Sequence, residues 1–93
     1  MAIRYSEHLF TRLRLRKIPE RLPRHIILKA RSRFFDTETN LEIAVARAKF
    51  MGKTRDIMVA YRRRGADVLL ITIHPLKLNQ VKNRIASGRW KSI

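Results

Sequence analysis

Histidine is the side chain best suited to carry a proton near neutral pH, and this chain holds three, at positions 8, 25 and 74. His74 closes the run Val68 to His74, with Arg84 and Arg89 following it. A proton carrier beside guanidinium groups suits attack of a ribose 2′-hydroxyl on its neighbouring phosphodiester. The imidazole moves the proton, and the cations stabilise the charge that builds on the phosphoryl oxygens. A packed imidazole, hydrogen-bonded to backbone at a strand end, is the competing role for His74. His8, Arg12 and Arg16 fall at i, i+4 and i+8, so a helix would line them along one stripe. Three cation-capable groups in line repel one another unless an anion or an acidic partner lies across them; the alternative is a solvated stripe. His25, beside Arg24, is the least suited of the three.

Other residues invite a binding role. Arg62, Arg63 and Arg64 form a basic run at an expected hairpin loop, able to grip phosphate or simply to be solvated. Trp90 and Tyr61 stand beside arginines and could stack on bases, worth about 1–3 kcal/mol per base. A lone tryptophan can equally fill a core or lid. Asp36, Glu38 and Glu42 could hold magnesium or act as an acid–base pair, but an acidic turn is more simply a solvated one. There is no cysteine, no glycine-rich phosphate loop, no Gly-x-Ser-x-Gly and no His-Glu-x-x-His. No metal and no cofactor are expected.

The charge sets the partner class. Twenty-two Lys and Arg against seven Asp and Glu give a formal charge of +15 at pH 7. The first 31 residues carry nine basic and two acidic groups, the last 32 carry eight and one, and the middle is nearly balanced. Such a surplus costs stability through self-repulsion and points to a polyanion. Arginine outnumbers lysine 15 to 7, and its planar fork favours RNA or DNA over a lipid surface. With 45% apolar and 31% charged residues and no long apolar run, a single folded domain over 1–93, soluble and cytoplasmic, is expected, with no membrane span. Arg4 interrupts any signal-peptide core at the N-terminus.

The elements that must position these residues follow from periodicity. Ser6 caps a helix to about Arg16 or Lys17, with Leu9, Phe10 and Leu13 inward. A second helix over about Pro23 to Ser32 buries Ile26, Ile27 and Ala30. Strands are expected at Arg33 to Asp36, Leu41 to Phe50, Ile57 to Tyr61 and Val68 to His74, the last central and buried on both faces. Alanine at 44, 46 and 48 dilutes the second of these. Pro75 then starts a helix over about Leu76 to Ala86, with Leu78, Val81 and Ile85 inward and a glycine stop at Ser87-Gly88. The fold class is α+β: two N-terminal helices, a three- to four-stranded antiparallel sheet and a C-terminal helix, with the helices on one face.

Three segments carry a family resemblance. His8-x3-Arg12-x3-Arg16-x-Ile18, Leu70-Ile-Thr-Ile-His-Pro75 and Asn83-Arg-Ile-x-Ser-Gly-Arg-Trp90 resemble the motifs of a family of small bacterial and archaeal domains, themselves similar to the RelE/ParE and BrnT toxin group. The resemblance spans about residues 5 to 90. It implies a RelE-like α-α-β-β-β-α order, RNA as substrate, endoribonuclease activity and silencing by an acidic antitoxin-type protein. The residues it carries over are His8, Arg12, Arg16, His74, Arg84 and Arg89. A non-catalytic RNA- or ribosome-binding module with the same basic face is the competing reading.

Overall fold

A continuous apolar run, Ile57 to Tyr61, forms the centre of the longest strand, Lys53 to Arg64, and the rest of the chain is arranged around it. The computed structural model describes residues 1–93. The elements are β1 (Ile3–Tyr5), α1 (Glu7–Arg16), α2 (Arg21–Lys29), β2 (Ser32–Asp36), β3 (Glu42–Phe50), β4 (Lys53–Arg64), β5 (Asp67–Pro75), α3 (Gln80–Ala86) and β6 (Trp90–Ser92). They form one six-stranded sheet in the order β1-β5-β4-β3-β2-β6. All neighbours are antiparallel except β1, which lies parallel to β5 with Ile3 opposite Val68.

The α+β class holds, but the sheet has two more strands than the largest number expected, and both are short edges. Neither β1 nor β6 has a strong local signal; each exists through its partner. The helices also occupy both faces, not one. Leu9 and Leu13 of α1 and Ile26 and Ile27 of α2 pack with Ile57, Val59 and Tyr61 of β4 and with Val68, Leu70 and Ile73 of β5. On the opposite face Phe34, Ile43, Val45, Met58, Ala60 and Trp90 form a smaller core, with Leu76 and Val81 of the α3 segment against it. The strand buried on both sides is β4, where Ile57 to Tyr61 are all inaccessible, rather than β5.

The alanines of β3 have a packing role. Ala44 and Ala46 lie in the same core as Ile26 and Ile27, and small side chains there let α2 sit close to the sheet. Arg33 of β2 then donates to the Ile27 carbonyl at 2.6 Å, satisfying one of the free carbonyls at the C-terminus of α2. Between β3 and β4 a two-residue turn puts Met51 at φ 52° and Gly52 at φ 78°. Both values are positive, as a tight hairpin that matches strand twist requires.

Three expectations fail at the helices. Phe10 is 39% exposed and packs on Tyr5 with ring centroids 5.3 Å apart, because Leu9 and Leu13 take the inward positions of α1. Leu78 is 92% exposed and Ile85 is also exposed. The reason is where α3 begins: the Leu76 N–H still bonds the Asp56 carbonyl at 2.8 Å, Asn79 turns left-handed at φ 64°, and the helix starts only at Gln80.

β5 contains a bulge. Thr72 opposes Ala60 and Leu70 opposes Tyr61, which leaves Ile71 without a partner. Ser6 donates its hydroxyl to the Ile71 carbonyl and accepts from the Leu9 N–H at 3.0 Å. One side chain thus caps α1 and ties its start to the bulge.

Candidate functional site

β1 is the reason a site forms. Its parallel pairing covers only Val68 to Leu70, so the later half of β5 has no strand on that side, and α1 leaves from Tyr5 directly beside it. His74 shares its face with its cross-strand partner Met58. Arg12, four residues past His8 on α1, reaches it: Arg12 Nη2 lies 2.9 Å from His74 Nδ1. A guanidinium only donates, so Nδ1 accepts and the ring's own N–H is on Nε2, 3.4 Å from Thr72 Oγ1.

The electrostatics follow from this geometry. Burial pushes the proton affinity of His74 below the ordinary histidine range, and the charges of Arg12, Arg16 and His8 push it further the same way. No carboxylate forms an ion pair with His8, Arg12 or Arg16. Two expectations drawn from separate stretches of sequence, the helix stripe and the strand-end histidine, therefore meet in one cationic cluster around a neutral imidazole. Such a cluster can bind an anion, and it offers the His74 ring, with His8 beside it, to whatever the anion brings.

Arg84 and Arg89 are not in it. Arg89 lies at the start of β6, four strand positions from β5, about 19 Å at the usual strand spacing. Its Nε is 3.1 and 3.3 Å from the two Asp36 oxygens and 3.3 Å from Glu38 Oε2. Asp36 is only 2% exposed and also accepts from the N–H groups of Glu38 and Thr39. Burial works against its ionisation, but the Arg89 hydrogen bonds and charge together with those two N–H groups hold its carboxyl below the usual range. Asp36 and Arg89 thus fasten the β2 turn to β6; neither is free for phosphate. Arg84 is half-buried on α3, whose main strand neighbour is β6.

The basic run also changes character. Arg62, Arg63 and Arg64 are strand residues of β4, and Arg64 opposes Asp67 at the far end of β5 from His74. Seven residues of strand separate Asp67 from His74, about 20 Å or slightly more. Arg63 is held by Glu42 at 2.8 Å. The two aromatic platforms are closed: Trp90 is 3% exposed and stacks on Phe34 at 5.3 Å, and Tyr61 is 1% exposed, with its hydroxyl accepting from Arg33. Both belong to the core because their strands are covered on the faces they point to.

Sequence reasoning passed over one further feature. An open groove runs between the end of α2, the β3–β4 strands and the start of α3, with Lys29, Arg31, Arg55, Lys77 and Lys82 on its walls. These residues are scattered over 54 positions, and no spacing rule gathers them. No helix of the chain is long and apolar enough to cross a membrane. No family model, no curated protein and no solved structure matches the chain.

Proposed function

We propose that the chain is a toxin-like RNA-binding protein whose His8–Arg12–Arg16–His74 cluster receives a phosphodiester and cleaves it by transfer to the neighbouring 2′-hydroxyl. The observation that carries this reading is the Arg12–His74 contact within a group of cations that no carboxylate neutralises. A phosphate entering the cluster draws Arg12 and Arg16 to its oxygens and so removes Arg12 from His74 Nδ1. The freed lone pair takes the 2′-hydroxyl proton, the 2′-oxygen bonds to phosphorus, and the bond to the 5′-oxygen breaks. The leaving oxygen takes a proton from water or from His8. The products are a 2′,3′-cyclic phosphate and a 5′-hydroxyl. The guanidinium groups stabilise the charge of the transition state. An acidic antitoxin-type protein would silence this site by occupying the same cations, in the cytoplasm, where its RNA would be met.

One observation favours a second reading. Arg12 already occupies the only lone pair that a neutral His74 can use as a base, which suits a binding module that holds RNA without cutting it. The test is incubation of purified protein with RNA in chelator, followed by mapping of the ends. Cyclic-phosphate ends that disappear in His74→Gln are expected from cleavage. Salt-sensitive binding with intact RNA would establish the binding module instead.

A further inference from the structure

We infer that the groove beyond His74 is the track for the rest of the strand, a single-stranded nucleic acid running out of the His74 cluster. The inference rests on the RNA reading of that cluster. The groove begins where the cluster ends: Lys77 follows His74 by three residues, so their Cα atoms lie within about 11 Å. Lys29 and Arg31 come from the end of α2, Arg55 from β4, and Lys77 and Lys82 from either side of the α3 start. None of these five forms an ion pair. The single carboxylate lining the groove, Asp56, is engaged by Arg47 at 3.4 Å. The side chain of Arg55 lies over Phe50 at 5.9 Å, with its buried Nε lacking any acceptor within the chain.

The floor is apolar, supplied by Val45, Ala46, Leu76 and Val81, and His25 is the one ring on the walls. With no Phe, Tyr or Trp in its lining the groove recognises backbone more than bases, so its contribution depends weakly on sequence and strongly on salt. An acidic peptide would satisfy the same cations, but continuity with a phosphodiester site favours a nucleic acid strand.

The test compares oligonucleotides of about 3 and about 12 residues, a range matching single-strand sites of small domains, made 2′-O-methyl so that they resist cleavage. Two variants are used: Lys29→Ala/Lys77→Ala/Lys82→Ala in the groove and Arg12→Ala/Arg16→Ala in the cluster. All three lysines are exposed, so the fold should be kept. Wild-type protein is expected to bind the long strand more tightly. The groove variant should bind the short one normally, bind the long one at least about tenfold more weakly, and lose about 2 from its log–log salt slope, at ~0.7 per phosphate. The cluster variant should lose both. Equal binding of the long strand by groove variant and wild type, with the cluster variant impaired, would overturn the groove proposal and leave the RNA reading intact. Failure of every oligonucleotide to bind would overturn both. Polyglutamate binding that depends on the three lysines, with no oligonucleotide bound, would assign the groove to an acidic protein segment and overturn the nucleic acid track.

Discussion

Arg12 and His74, 62 residues apart, are joined by a 2.9 Å contact in which a permanently charged group holds the lone pair of a titratable one. Each therefore controls the other: an anion that attracts Arg12 also makes His74 easier to protonate. The His74 resonances should titrate below the ordinary histidine value of about 6.5 in the free protein and move upward when inorganic phosphate is added. Arg12→Ala should move them upward without phosphate. An unchanged titration in Arg12→Ala would show that Arg12 does not help to set the value.

The same depression has a stability consequence with a definite sign. The unfolded chain binds a proton at His74 more readily than the folded one, so the contribution of His74 is complete above about pH 6.5 and is lost as pH falls towards the folded value. His74→Gln should therefore flatten the decline of Tm between about pH 7 and pH 5 relative to wild type. Parallel Tm profiles would show that His74 does not contribute to it.

Arg12→Ala/Arg16→Ala should weaken RNA binding about tenfold or more at low salt while changing stability little, because neither guanidinium has a carboxylate partner to lose. Binding curves at two salt concentrations beside a thermal melt separate the possibilities. A large fall in Tm with intact binding would make the stripe structural.

Arg89→Ala should behave in the opposite way. It leaves the buried Asp36 carboxylate with only two backbone N–H groups and should cost about 2–4 kcal/mol, measured by urea unfolding. Asp36 itself stabilises the fold above the ordinary carboxylate range, and that contribution disappears as pH falls through its lowered folded value. An Arg89→Ala protein of normal stability that had lost RNA cleavage would return Arg89 to the site.

The left-handed Met51 beside Gly52 is a position where Asn is better tolerated. Met51→Asn should stabilise the hairpin by about 0.5–1 kcal/mol, detectable as a small rise in Tm. Ala46→Leu should cost about 1–3 kcal/mol, since it fills the space α2 uses to approach β3.

What was legible in the sequence was what local chemistry decides. Ser6 caps α1 as expected, and β2, β3 and β5 fall close to where alternation and turn residues put them, while β4 extends from Lys53 through the expected Arg62 to Arg64 loop. β1 and β6 were not legible, since three residues have no stable pattern of their own and are strands only through partners far away in sequence. The site failed and succeeded for the same reason. His8, Arg12 and Arg16 could be lined up from their spacing, and His74 singled out from its place at a strand end, but their meeting depends on β1 laying α1 beside β5. The apolar, polar, apolar order of Ile3, Arg4 and Tyr5 directly before the Ser6 cap was the one available hint. Arg89 falls outside the cluster because Asp36 claims it across 53 positions, a pairing that nothing local marks.

The unpaired Ile71 decides which way half of β5 looks. Strand side chains alternate, so Val68, Leu70, Thr72 and His74 would share one face if the strand ran unbroken, and that face is the core beneath α1. The extra residue resets the phase: Ile73 takes the core position, while Thr72 and His74 turn to the side of Ala60 and Met58. Pairing Ile71 in register with Ala60 would thus act like a frameshift within a folded strand. It would leave the composition of β5 unchanged, yet exchange an isoleucine for a histidine under the helix and take from the cluster the ring that Arg12 holds.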